Sequence, residues 1–319
     1  MGTGTYSIIA LEEHYWDSEL STHFTGGESR NPGLREKLES LGELRLKAMD
    51  KAGIDLQVLS HGAPATQRLE APDAVPLARR VNDRLAETVR ANPDRFAGFA
   101  ALPTADPASA ADELDRAVSE LGLKGAMVHG LCNGVFFDDR RFWPIFERAQ
   151  RLGVPIYLHP ALPHPVVVEA YYRDYAKSYP SILNAGWGFT VETATQGIRI
   201  VLSGVLDAYP DVKLILGHMG EGLPFSLWRI DQALSREGNR KVSFREAFQR
   251  HFWITTSGNF STPALMCSIA ELGVDRILFS VDWPYVENDP GVEWMRGTPL
   301  AAGDRKKIFS DNARRLLRI

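Results

Sequence analysis

The feature that most constrains this chain is an eightfold alternation of short apolar runs with longer amphipathic segments. Apolar runs rich in β-branched residues read as buried strands, and the segments between them carry the 3.6-residue period of helices. The strand runs fall at residues 8–14, 56–60, 96–101, 125–129, 154–159, 212–218, 252–256 and 276–282. Helical periodicity covers 34–52, 73–91, 108–121, 141–152, 190–209, 222–234, 263–272 and 303–317. In the first of these helices Leu34, Leu38, Leu41, Leu44 and Ala48 share a face, and Gly53 stands where a C-cap belongs. Strands alternating with helices predict a parallel sheet, and eight such units predict a closed (β/α)8 or TIM barrel. An open doubly wound sheet is the alternative. It loses its dinucleotide-binding version because no G-x-G-x-x-G follows the first strand. With 319 residues, 44% of them hydrophobic, a barrel of this size fits one domain over 1–319. Within it, an insertion is expected at about 160–189 and C-terminal helices at about 303–317.

Polar residues collect at the C-terminal ends of these strands. The run Ile8-Ile9-Ala10-Leu11 gives way to Glu12, Glu13 and His14; the fifth strand ends at His159, the sixth at His218, and the eighth at Asp282. Alternation along a strand puts Glu12 and His14 on one side and Glu13 on the other. Barrel enzymes build their sites at this end of the strands. Two carboxylates and two imidazoles there make a mixed nitrogen and oxygen donor set for a divalent ion such as zinc or manganese, with no thiolate to select zinc. Asp282 has a second possible part, since a carboxylate beside a metal can hold or shuttle a proton. His61 and His129 also follow strands and are candidates for the pocket lining. His23, His164 and His251 read as loop or surface residues.

Composition excludes other classes. A formal net charge of −4 leaves no electrostatic footprint for nucleic acid. Cys132 and Cys267, the two cysteines, lie far apart in no metal spacing, so packing in a reduced compartment is expected. No basic leader precedes an apolar core and no run reaches the length of a membrane span, so a cytoplasmic protein without membrane partners is expected.

The segments ALEEH (10–14), MDKAGIDLQVLSHGAPATQ (49–67), LHP (158–160), ETATQGIRIVLSGVLDAYPDVKLILGHMGEGLPFSLWRID (192–231), ITTSGNF (254–260), ILFSVDWPYVEN (277–288) and DNARRLL (311–317) carry a resemblance. The chain resembles the amidohydrolase superfamily, in the branch of aminocarboxymuconate-semialdehyde decarboxylase. Within that branch it is most similar to γ-resorcylate, 2,3-dihydroxybenzoate and 5-carboxyvanillate decarboxylases. Hydrolytic members usually open with His-x-His, whereas Glu12 stands at the first of those positions here. The resemblance implies one divalent ion, zinc or manganese, held by Glu12, His14, His159 and Asp282, and no organic cofactor. It implies catalytic parts for Asp282, for His218 and, as its relay neighbour, for Glu221, and a place for Arg229 near the substrate. The implied reaction is non-oxidative decarboxylation of a small hydroxylated aromatic acid by a homodimer or homotetramer. The proton comes from Asp282 or from the His218–Glu221 pair. Trp16, Ala63, Pro64 and Trp283 are expected to wall the ring, with Trp187 and Phe189 as further candidates. The alternative on the same scaffold is a metal-dependent hydrolase or hydratase of a small cyclic or aromatic-derived acid. There Asp282 would deprotonate water.

Overall fold

A computed structural model describes residues 6–24, 31–234 and 242–319. Its strands are β1 (Ile9–Tyr15), β2 (Leu56–His61), β3 (Phe96–Gly98), β4 (Ala100–Ala101), β5 (Ala126–His129), β6 (Pro155–His159), β7 (Lys213–Leu216), β8 (Phe252–Thr255) and β9 (Ile277–Leu278). Every neighbouring pair is parallel, in the orders β1-β2-β3 and β4-β5-β6-β7-β8-β9.

β3 and β4 are one barrel strand broken at Phe99. The Phe99 N–H bonds the Leu59 carbonyl on one side at 2.8 Å, and the Ala100 N–H bonds the Gly125 carbonyl on the other at 2.9 Å. The ring closes where the last strand meets the first. Leu11 N–H donates to Phe279 O (3.3 Å), Asp282 N–H to Glu12 O (3.1 Å) and His14 N–H to Trp283 O (2.7 Å). The fold is therefore a (β/α)8 barrel.

Alternation along the strands sorts the apolar residues into two layers. Ile9, Leu11, Val58, Phe99, Met127, Tyr157, Ile215 and Leu278 fill the barrel, and Ala313, Leu316 and Leu317 from the helix Asn312–Leu317 pack against that same cluster. Ala10, Leu59, Val128, Ile156, Leu158 and Leu216 point outward into the layer shared with the helices. Each fully buried Leu, Ile or Phe contributes on the order of 2 kcal/mol.

Several expected elements are interrupted. The helix expected at 34–52 is two, Pro32–Glu39 and Glu43–Ala52. The Leu38 carbonyl is taken by Trp16 N–H at 2.8 Å and the Ser40 carbonyl by Arg45 Nε at 3.0 Å, so the ladder cannot continue through Gly42. Gly53 does cap the second helix, at φ 77°. The helix expected at 190–209 divides at Gly204 (φ 88°) into Gly188–Ser203 and Val205–Ala208. The strand expected at 276–282 is regular only over Ile277–Leu278; beyond it Phe279, Asp282 and Trp283 still bond β1, while Val281 and Trp283 turn their N–H groups to the Glu13 carboxylate. A helix at Asn288–Gly297 has no counterpart in the periodicity reading. Pro290 and Gly291 disguise it, and Gly291 is needed because a Cβ there would come within 2.6 Å of the Phe260 ring. Residues 160–187 fold into short turns of helix, at Pro165–Val167, Arg173–Ala176 and Pro180–Leu183. His251, expected at the surface, is buried with Nδ1 2.9 Å from Val212 O. Among the described residues no helix is long and apolar enough to cross a membrane.

Candidate metal centre

The site begins with an irregularity in β1. Ala10 pairs with Gln57 and Glu13 with Leu59, so three steps on β1 match two on β2. The extra residue is a bulge, which breaks strict alternation. Leu11 and Glu12 consequently both face the barrel interior, Leu11 in its apolar filling and Glu12 against Tyr157, Thr255 and Ser257. His14 also faces in, and Glu13 faces out toward Gln57 and the last strand.

Four side chains from three parts of the sequence meet above the filled interior. One donor atom each from Glu12, His14, His159 and Asp282 lies within 4.8 Å of the others. His159 Nε2 is 3.1 Å and His14 Nε2 3.8 Å from Glu12 Oε1, and His14 Nε2 is 3.3 Å from Asp282 Oδ1. Glu12 Oε1, His14 Nε2 and Asp282 Oδ1 are buried and have no hydrogen-bond partner. A buried polar atom without a partner costs roughly 1–3 kcal/mol. Three such atoms aimed at one point therefore fit a shared cation. The electrostatics agree. Burial would favour the neutral imidazole of His14, yet the Asp282 and Glu12 carboxylates push it up to about 9. Burial likewise opposes ionisation of Glu12, but His218, His14 and His159 hold its carboxyl well below the usual range. The cluster is short of positive charge.

The surrounding groups decide which atoms stay bare. The Tyr157 and Ser257 hydroxyls donate to Glu12 Oε2, and Thr255 Oγ1 adds a longer contact at 3.4 Å. Glu12 thus offers Oε1 alone. His14 Nδ1 lies 3.3 Å from Ser60 Oγ, and His159 Nδ1 lies 2.7 Å from Pro160 O and 3.0 Å from His129 Nδ1. Engaging Nδ1 turns each Nε2 toward the cluster.

His218 stands beside these four. Glu221 Oε1 takes its Nδ1 at 2.7 Å, leaving Nε2 3.5 Å from Glu12 Oε1 and 3.8 Å from Asp282 Oδ2. Burial would lower the His218 pKa, but Glu221 and Glu12 raise it well above the ordinary value. The sixth strand is expected to run to His218 and the next helix to begin at residue 222, just after Glu221. In the structure the strand stops at Leu216, and His218, Met219, Gly220, Glu221 and Gly222 all have positive φ (49°, 59°, 70°, 53° and 73°). This left-handed turn still sets His218 beside Glu221, and Asp282 shares the strained conformation at φ 76°. Such backbone is costly for residues with a Cβ and collects at functional sites.

A cavity of about 690 Å³ opens above the cluster, lined by Ala63, His159, Phe189, His218, Asp282 and Tyr285 among others. A second, of about 450 Å³, lies next to it and includes Pro64 and His129. Trp16 and Trp283, expected as ring walls, line neither. Trp16 is buried against Phe24, and Trp283 is buried beneath the Arg45 guanidinium, 4.2 Å from its ring centre. Trp187 is exposed and outside both cavities, as is Arg229 on the helix Leu223–Leu234. His61 is fixed to backbone: Nε2 accepts the Asp17 N–H at 3.0 Å, and Nδ1 lies 2.9 Å from Gly62 O. Tyr157, Thr255 and Ser257 escaped the sequence reading. Spacing contained the signal, since Tyr157 lies two residues before His159 on β6 and shares its face. Tyr285, Asn259 and Phe260 were missed because loops carry no periodicity.

The family model described as Amidohydrolase matches residues 13–319. Among curated proteins, a gamma-resorcylate decarboxylase of Polaromonas sp. (strain JS666) is 41% identical over 325 residues, covering 98% of each chain. Among solved structures, a dihydroxybenzoic acid decarboxylase of Polaromonas sp. JS666 with bound manganese and the inhibitor 2-nitroresorcinol superposes with a TM-score of 0.90 at 42% identity, covering 98% of this chain and 97% of that one. A 5-carboxyvanillate decarboxylase of Sphingomonas paucimobilis also reaches 0.90, at 34% identity over 98% of this chain and 99% of that one.

Proposed function

The chain belongs to the amidohydrolase family, and on that premise we propose that it is a metal-dependent, non-oxidative decarboxylase of a hydroxylated aromatic carboxylic acid. The observation that carries this reading is the convergence of three bare, buried donor atoms beneath a cavity that also holds the His218–Glu221 pair. Glu12, His14, His159 and Asp282 would hold one divalent ion, manganese or zinc. When bound, that ion supplies positive charge to offset phenolate and carboxylate charge on the substrate.

The chain's own residues do the rest. Ala63, Phe189, Phe260, Tyr285 and Val286 form the walls against which an aromatic ring rests. Glu221 fixes the His218 ring and favours its protonated form, so that His218 Nε2 holds a proton at the cavity. That proton, or one carried by Asp282, passes to the ring carbon bearing the carboxylate. The C–C electron pair then returns to the ring, and carbon dioxide departs as a neutral molecule. Electrons balance without a redox partner, so no organic cofactor is needed. Decarboxylation in Asp282→Asn and His218→Asn variants, each compared at full metal occupancy, separates the two acids. The residue that acts as acid loses roughly 10²-fold or more in kcat on substitution, and substantial residual activity removes it from that role.

The exposed aromatics Tyr171, Tyr179, Phe225 and Trp228, at 61–86% exposure, favour a homodimer or homotetramer, and Arg229 belongs with that surface. A cytoplasmic setting, with no nucleic-acid or membrane partner, completes the proposal. The test is incubation of manganese- and zinc-loaded protein with a panel of hydroxybenzoates that includes 2,6-dihydroxybenzoate, following carbon dioxide. Metal-dependent release is expected. Products carrying added water with no carbon dioxide would overturn the reading in favour of a hydrolase or hydratase.

A further inference from the structure

His129 is a buried side chain that the mechanism above leaves unused. It ends β5 as His159 ends β6, and the two are register partners across that parallel pair. The residue is 1% exposed, is not one of the four clustered donors, and lies outside the lining of the metal-side cavity. What it touches is the ligand His159. Their Nδ1 atoms are 3.0 Å apart, with ring centres at 4.7 Å and planes crossing at 65°.

Two imidazole nitrogens at that distance attract only if a proton lies between them. A third atom decides which one carries it. Pro160 O is 2.7 Å from His159 Nδ1, and a carbonyl oxygen can only accept. The proton therefore sits on His159 Nδ1, shared between Pro160 O and the lone pair of His129 Nδ1. A neutral His159 protonated there presents the Nε2 lone pair to the cluster, which is the form that binds a metal. The far side of the His129 ring agrees. It is hydrogen-bonded to the His61 backbone, and that bond raises its pKa, so the ring is the donor. With Nδ1 already accepting, Nε2 makes this bond. Burial and the neighbouring imidazoles otherwise keep the ring neutral, with one donor and one acceptor nitrogen, both in use. The run His159–His129–His61 thus joins the ends of β6, β5 and β2.

A ligand histidine is often oriented by a carboxylate. At position 129 a carboxylate would add a third negative charge to a cluster that already contains Glu12 and Asp282, and a buried charge without its own partner is costly. A neutral imidazole accepts the same hydrogen bond without that cost.

We infer that His129 is a positioning residue for the metal centre: it accepts the His159 Nδ1 proton and so holds the His159 Nε2 lone pair on the ion. The inference rests on the metal-dependent reading and extends it to a residue outside the ligand set.

Three substitutions test it, read by manganese affinity against a competing chelator. In His129→Asn the amide oxygen falls where Nδ1 stood and still accepts. In His129→Gln it falls one bond farther along the side chain, and His129→Leu has no acceptor. His129→Asn should bind manganese nearly as tightly as wild type, whereas His129→Gln and His129→Leu should each lose roughly 10-fold or more. Asparagine is the smallest of the three, so a role in packing alone gives the opposite order. Metal-free unfolding midpoints show whether each variant folds, and if His129→Leu does not, the comparison of His129→Asn with His129→Gln decides. A His129→Asn protein no tighter than His129→Gln, or a His129→Gln protein equal to wild type, overturns the inference. A wild-type chain that binds no manganese overturns the metal reading itself, and this inference with it.

Discussion

Glu12 and Glu13 are neighbours in sequence, both fully buried, and yet opposite in kind. Glu12 faces the cavity with one oxygen taken by hydroxyls and the other bare. Glu13 faces away and is saturated: Val281 N–H (2.9 Å), Trp283 N–H (3.2 Å), Ser280 Oγ (3.2 Å) and Gln57 Nε2 (3.3 Å) all donate to it. Behind it lies Arg45, buried as well, whose guanidinium donates to Gln57 Oε1, His14 O and Ser40 O. Burial pushes Glu13 up to about 8 and Arg45 down to about 9, but a site offering four donors and no acceptor suits a carboxylate. The difference teaches how function differs from support. The outer carboxylate ties β1 to the last strand, which fixes the aim of Glu12, His14 and Asp282. The inner one keeps a bare oxygen, the atom proposed to take the ion.

Substitutions at the pair should separate these parts. Glu12→Gln removes the bare anionic donor, and decarboxylation should fall by at least roughly 10³-fold, equivalent to about 4 kcal/mol. Its metal-free stability should change little, as read by urea unfolding. Glu13→Gln should do the reverse. It strands the Arg45 charge in the interior and should cost about 3 kcal/mol of stability, while the purified protein still binds its ion. Equal losses of stability in the two variants would dissolve the distinction.

Tyr157→Phe sharpens the comparison from the inner side. Without that hydroxyl Glu12 Oε2 keeps only the Ser257 hydroxyl and the longer Thr255 contact, and metal affinity should weaken roughly 10- to 100-fold, measured against a competing chelator. The smallest effect concerns pH. Burial lowers the His61 pKa to about 4, and the neutral ring is the form that accepts Asp17 N–H. The unfolded chain, near 6.5, binds the proton first. Stability is therefore complete only well above pH 6.5 and falls as the pH drops toward 4, by about 1.4 kcal/mol at pH 5.5. Unfolding midpoints across that range should show the loss, and His61→Asn should flatten it.

Much of this was legible in residue order. Apolar runs and helical periods announce a barrel because every strand is buried on both faces. Glu12, His14, His159, His218 and Asp282 could be named because they sit at strand ends. What could not be read depends on hydrogen bonds between distant segments. The β1 bulge, the division at Phe99 and the break before Glu43 each arise where a carbonyl or N–H finds a partner elsewhere in the chain. The two tryptophans failed as ring walls for the same reason. Trp283 follows Asp282 on a turning chain and lands on the Arg45 side.

Glu12 is one of the four ligands of the proposed metal site, and Glu13 is none of them. The most direct test is the number of manganese ions bound per chain, measured by titrating metal-free wild type, Glu12→Gln and Glu13→Gln proteins. One ion per chain is predicted for wild type and for Glu13→Gln, with none at comparable affinity for Glu12→Gln. A Glu12→Gln protein that still binds one ion per chain with wild-type affinity would contradict it.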